Sequence, residues 1–183
     1  LRVKRQKDTP IFVIIGNPPY NAHQVNENDN NRNRKYPMLD ALVSETYAKD
    51  SEKTNKNALG DMYVKAFRWA SNRIHQEGIV AFVTNNSFLD SLAFDGMRHH
   101  LEQDFSAIYH INLKGNARAT GEQRRREAGN VFNDMIRVGI GITFLVKKAN
   151  HIEKGTQIYI YNIDDYFSSA EKQSFLEEKG TYI

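Results

Sequence analysis

Four residues of this chain have the types and the order needed to hold an amine for attack: Asn17, Pro18, Pro19 and Tyr20, directly behind the apolar run Ile11-Phe12-Val13-Ile14-Ile15. Proline fixes its own φ and pushes the residue before it out of the helical region, so two in a row hold Asn17 rigid. Asn17 then presents a side-chain carbonyl, and Pro18 adds a backbone carbonyl. Two acceptors converging on one point suit a planar exocyclic NH2 group, because two accepted hydrogen bonds draw its lone pair out of ring conjugation and toward an electrophile. Tyr20 supplies a π-face on which the ring carrying that amine can stack. At roughly 5% usage per residue type, a given tetrapeptide arises by chance in a chain of this length about once in a thousand. The plain alternative is a proline turn that closes a strand and leaves Tyr20 as a packing residue.

Such a turn must be carried by elements that the spacing predicts. The apolar run at 11–15 predicts a short strand covered on both faces. Residues 21–35, with Asn26, Asn28, Asn30, Asn31 and Asn33 among charges, predict an exposed loop. Met38, Leu39, Leu42, Val43 and Tyr47 recur at helical spacing, and so do Leu59, Tyr63, Ala66, Phe67, Ala70 and Ile74. Gly78 is expected to end the second helix, with a buried strand from Ile79 to Val83. A helix around 93–103 and a strand around 106–112 follow. The Arg-rich stretch 114–130 has almost no apolar residue and predicts a loop. Val138 to Val146 predicts a strand with Gly139 and Gly141 on one face, where another backbone packs closely. Ile158 to Tyr161 predicts a further strand, and 166–178 a terminal helix. Alternating strands and helices predict an α/β layered sheet with crossover helices. Ligands bind outside the carboxyl ends of such strands. Asn17 to Tyr20 and Thr84 to Phe88 both lie at such ends, so one cleft is expected to hold both.

Composition sets bounds. A chain of 183 residues, 40% hydrophobic and 26% charged, can bury the core of one compact domain. A formal charge of +3 and a pI near 9.0 permit nucleic-acid binding without requiring it. With no cysteine the chain can form no disulfide, thiolate zinc site or cysteine nucleophile, which points to a reducing interior. There is no apolar run of membrane-spanning length and no signal-peptide layout, so a cytoplasmic location is expected and no membrane partner. The six histidines lack metal-ligand spacing, and no metal is expected. A phosphate-cradling lysine loop, a nucleophile elbow and the clustered carboxylates of a nuclease are likewise missing.

The segment Ile14-Ile15-Gly16-Asn17-Pro18-Pro19-Tyr20 resembles the catalytic motif of the adenine-N6 DNA methyltransferases, which use S-adenosylmethionine as methyl donor. Val83-Thr84-Asn85-Asn86-Ser87-Phe88-Leu89 is similar to the family segment after the next strand, and Gly60-Asp61-Met62-Tyr63 to the helix start that borders the cofactor. Gly115-Asn116-Ala117-Arg118, Gly121-Glu122, Arg124-Arg125-Arg126-Glu127 and Gly129-Asn130-Val131-Phe132 together resemble the methyltransferase region of the large single-chain Type ISP restriction-modification enzymes. The resemblance covers most of residues 10 to 148.

It implies the catalytic half of a Rossmann-like methyltransferase fold, with residues 1–150 forming that half and 151–183 a sheet extension and a helix leading to a following domain. The glycine-rich turn and acidic strand end that hold this cofactor in such folds do not precede residue 11, so the main S-adenosylmethionine motif is expected outside the chain. Asp61 and Tyr63 are the cofactor-binding candidates within it. The resemblance implies double-stranded DNA as partner, an adenine flipped out of the helix, and stacking between Tyr20 and Phe132. Catalytic positions are Asn17, Pro18, Pro19 and Tyr20. Phe132 has an alternative role as a core aromatic leading into its strand. Asn85, Asn86 and Ser87 read as a helix cap, a cleft wall, or both. Arg118, Arg124, Arg125 and Arg126 are candidates for DNA phosphate, against salt bridges to Glu122 and Glu127. Arg32, Arg34 and Lys35 are weaker candidates. Two other readings stay open: methylation of an amino or amide group on RNA or protein, and a non-catalytic DNA-binding or coupling module that keeps the fold.

Overall fold

The computed structural model describes residues 2–19, 35–132, 135–149 and 155–180. Tyr20 and residues 21–34 of the expected Asn-rich loop, Arg32 and Arg34 among them, lie outside the described residues, and Lys35 is exposed. Five strands form one mixed sheet in the order β1-β2-β4-β3-β5, where β1 is Val13–Gly16, β2 Gly78–Asn85, β3 Ala107–Asn112, β4 Ile140–Lys147 and β5 Gln157–Asn162. The pairs β1 with β2 and β3 with β5 are parallel, and β4 runs antiparallel between β2 and β3. Among the described residues seven α-helices accompany the sheet: α1 Arg2–Asp8, α2 Pro37–Val43, α3 Met62–Arg73, α4 Ser87–Asp90, α5 Asp95–Asp104, α6 Gly121–Glu127 and α7 Ser169–Gly180. None among the described residues is long and apolar enough to cross a membrane.

The α/β architecture matches the expectation, but β4 departs from a uniform crossover pattern. Among the described residues between β3 and β4 the one helix is the seven-residue α6, and β4 returns antiparallel beside β3. The main core lies on one face, where Ile14, Val80, Phe82, Ile108 and Leu145 of the sheet meet Val64, Phe67 and Ala70 of α3 and Met97 and Leu101 of α5. Burying each of the larger of these side chains fully contributes about 1.5–3 kcal/mol. The opposite face corrects the expectation of double coverage. Val13, Ile15, Ile79, Tyr109 and Tyr159 share that face by register and are all exposed, Ile15 by 79%. An unbroken apolar run therefore marks a sheet with two apolar faces, of which these residues cover one.

A second, smaller core closes the carboxyl end of the open face. Leu113, Val131, Ile140 and Ile163 are buried there, with Ile136, Phe167, Phe175 and Leu176 packed against them. Two expectations need correction. Gly78 does not end α3, which stops at Arg73 with Ile74 extended; it opens β2, where a Cβ would stand 2.4 Å from the Phe12 carbonyl oxygen. The Arg-rich stretch holds α6, whose Glu122 in the first turn and three arginines in the last oppose the helix dipole.

Candidate active site

Strand β1 ends at Gly16, where a Cβ would meet the Phe82 ring at 3.2 Å, so the turn that follows starts close against the sheet. Asn17 and Pro19 stand exposed and Pro18 is half-buried. With Arg118, Met135, Ile136, Arg137 and Val138 they line a cleft of about 540 Å³. Asn17, Pro18, Pro19 and Arg118 are thus brought together. Phe132, three residues before Met135 in sequence, is 48% exposed and is not among the residues that line the cleft. That exposure sets aside its reading as a core aromatic. Sequence reasoning missed Met135 and Arg137 as wall residues, although the Gly129–Phe132 motif leads straight to them.

Arg118 and Val138 also belong to a smaller polar pocket of about 180 Å³, shared with Asn86, Ser87, Asp90, Asn116 and Glu127 among others. The expected single cleft is instead two pockets that share Arg118 and Val138: Asn17 to Pro19 line the first, Asn86 and Ser87 the second, and Thr84 and Phe88 are buried. Asn85 is buried and its Oδ1 accepts from the Ser87 amide at 3.0 Å, while Asn86 and Ser87 line the wall. The wall is present, whereas Asn86, the cap residue of α4, makes no side-chain cap bond and the Asn85 bond closes a turn leading into the helix. Asn86 extends into a chain of amides that sequence alone did not single out. Its Nδ2 donates to Asn112 Oδ1 at 2.6 Å, and Asn112 Nδ2 donates to Asn162 Oδ1 at 2.8 Å, which ties the ends of β2, β3 and β5. Gly141 makes room for this: a Cβ there would fall 2.3 Å from His110 Cε1 and 2.4 Å from Asn86 Oδ1. The close approach expected at Gly139 and Gly141 is therefore made mainly by side chains. Burial pushes His110 down to about 4, so it is a neutral ring with Nδ1 bonded to Thr143 Oγ1 at 2.9 Å.

The cofactor candidates on α3 divide. Tyr63 is 1% exposed and packed among Phe67, Phe88 and Phe94, a core residue with no face open to a ligand. Burial, with the Asp61 carboxylate beside it, pushes its hydroxyl up. Asp61 is also buried. The residue between them, Met62, does open outward. With Pro18, Pro19, Met38, Leu39, Ala66 and Trp69 it lines an apolar cavity of about 560 Å³ on the other side of the proline turn.

The four arginines also divide. Arg124 Nη1 donates to the Ala128 carbonyl at 2.6 Å and closes α6. Arg125 pairs with Glu122 at 3.3 Å, and Arg126 lies 3.9 Å from Glu122 and 3.7 Å from Asp165. Among the described residues, Arg118 is the one of the four whose guanidinium has no hydrogen-bond or ion-pair partner. No group of three potential metal-binding side chains occurs among the described residues.

Comparison with known proteins agrees with this geometry. The chain superposes on the cryo-electron-microscopy structure of a DrdV–DNA complex with a TM-score of 0.85, 46% identity and 96% of its length. It matches a nuclease-deletion mutant of the Type ISP restriction-modification enzyme LlaGI in complex with a DNA substrate mimic, with a TM-score of 0.88, 40% identity and 97% of its length. It also matches the ATP-dependent Type ISP enzyme LlaBIII bound to DNA, with a TM-score of 0.85, 42% identity and 97% of its length. The chain spans only 17%, 17% and 12% of these three chains, respectively. No curated protein matches it. The family model of the Eco57I restriction-modification methylases matches residues 7–117, more than half of the sequence, and the chain belongs to that family.

Proposed function

We propose that this chain is the catalytic half of a methyltransferase domain that transfers a methyl group from S-adenosylmethionine to the N6 amine of adenine in DNA, within a Type ISP-like restriction-modification enzyme. The observation that carries the reading is the place of Asn17 and Pro18. They stand at the carboxyl end of β1, on a cleft also lined by Arg118 and residues 135–138, and the half-exposed Phe132 lies three residues before Met135 in sequence. An adenine paired in a duplex cannot reach such a cleft, so the nucleotide must leave the stack at a cost of a few kcal/mol. Stacking on Phe132, and on Tyr20 from the other side, returns part of that. The Asn17 side-chain carbonyl and the Pro18 carbonyl accept from the two N6 hydrogens and orient the nitrogen lone pair. Arg118, exposed at the cleft mouth, offers bidentate contact to a backbone phosphate.

S-adenosylmethionine supplies an electrophilic methyl on a sulfonium centre. The residues described here fit one side of it: the apolar cavity beside Pro18 and Pro19, with Met62 and Trp69, suits the face of its adenine ring. The family name and the DNA complexes of the matched Type ISP enzymes support a DNA substrate. The decisive experiment is transfer of labelled methyl to DNA by the full-length parent, with identification of the product base. Asn17→Ala in that enzyme is expected to abolish methylation and leave DNA binding in place. Retained turnover refutes the assignment.

A further inference from the structure

Helix α7 carries a row of side chains that hold one loop by its backbone. Ser169, Lys172 and Gln173 stand at i, i+3 and i+4, one face of the helix. Lys172 Nζ donates to the carbonyls of Glu127 at 2.8 Å and Gly129 at 2.6 Å. Ser169 Oγ donates to the Asn130 carbonyl at 2.5 Å, and Gln173 Nε2 to the Val131 carbonyl at 3.0 Å. Every carbonyl from 129 to 131 is thus bonded by α7, and the next residue is Phe132. The fit is close, since a Cβ on Gly129 would stand 2.6 Å from Ser169 Oγ.

The loop is pinned from its other side as well. Asn130, 3% exposed, accepts from the Phe132 amide through Oδ1 at 3.1 Å and donates through Nδ2 to the Val138 carbonyl at 3.0 Å. Gly115, at φ +87°, packs so near that a Cβ there would lie 2.9 Å from Asn130 Cα. Lys172 is completely buried, and burial lowers it to about 8. A lysine is an expensive choice for packing alone, because an apolar side chain of similar length would fill the site without that desolvation. What a lysine adds is two charge-assisted bonds, one to the Gly129 carbonyl and one to the Glu127 carbonyl, which also accepts from the Gly115 amide at 3.2 Å.

We propose that Lys172, with Ser169 and Gln173, is a positioning residue: α7 clamps the 127–131 backbone so that the Phe132 ring is held ready to stack on the flipped base. The proposal rests on the reading of Phe132 as a stacking residue. Its test uses the full-length parent enzyme and DNA with 2-aminopurine at the methylated position, located beforehand by sequencing methylated DNA. Lys172→Met keeps the stem and removes the donors. It is expected to lower kcat by about tenfold or more and shift the 2-aminopurine emission of the bound complex, with KM for DNA within about twofold. Phe132→Ala should give the same signature, and the double variant should be no worse than Phe132→Ala alone. If Phe132→Ala impairs the enzyme and Lys172→Met leaves kcat and emission untouched, the clamp is overturned and the stacking role stands. If Phe132→Ala itself has no effect, the stacking reading falls and the clamp with it. Additive losses in the double variant also overturn the proposal, because Lys172 would then act elsewhere. Should Lys172→Met fail to fold, the exposed Gln173 carries the same three comparisons as Gln173→Leu.

Discussion

Asn17 and His110 lie at opposite extremes of dependence on their surroundings. Asn17 owes its presentation to the two prolines that follow it, which act through the local backbone. His110 is defined by distant residues: Thr143 at Nδ1, the Phe88 ring at 6.0 Å, and the space that Gly141 leaves. Because its folded pKa lies near 4, below the ordinary 6.5, the unfolded chain binds the proton more readily. This contribution to stability is intact above about pH 6.5, falls as pH drops toward 4, and is constant below that. A melting series from pH 7.5 to 4.5 is expected to show a smaller loss on acidification for His110→Gln than for the parent. Parallel curves would mean that His110 binds its proton equally well in the folded and unfolded chain, so that burial does not lower its pKa.

At the scale of elements, α6 shows why the arginines could not be sorted from sequence. It has no apolar stripe, so its periodicity carries no signal; it is supported by Glu122 three and four residues from Arg125 and Arg126 and by Arg124 on the Ala128 carbonyl. Those three arginines have structural partners, whereas Arg118 faces both pockets. Replacing Arg118 with Ala is expected to reduce the slope of log affinity against log salt for DNA by about one, while Arg125→Ala changes it less. Titrations at several salt concentrations decide this. Equal slopes for all variants would remove Arg118 from the phosphate contacts. α7 is a related case: its helical pattern was legible, but the bonds from Lys172 span 43 and 45 residues of sequence, which no periodicity reports.

For the molecule as a whole, the decisive feature is asymmetry. One sheet face carries helices and the main core, and the other leaves Val13, Ile15, Ile79 and Tyr109 in contact with water. In the proposed function the Pro18–Trp69 cavity would give one apolar wall to the nucleoside of the cofactor, and residues 1–12 contain no glycine-rich turn to cradle the rest of it. These 183 residues alone are therefore expected to give no tight S-adenosylmethionine isotherm by calorimetry, in contrast to the full-length parent. Micromolar binding by the isolated chain would show that the cavity suffices.

What the sequence by itself determined was local. The proline-locked turn, the apolar runs of β1 and β2, the helical periodicity of α3 and the family resemblance all follow from residues near one another in the chain. The tertiary structure decided what depends on distant pairing. Insertion of antiparallel β4 between β2 and β3 sets Asn86 against Asn112 and brings Val138 beside Asn17 and Arg118. Burial decided that Tyr63 belongs to the core and that Met62 turns outward. Backbone stereochemistry and side-chain period are properties of neighbours, and so can be read in order. A cleft is made of residues more than a hundred positions apart, and only the folded chain sets the distance between them.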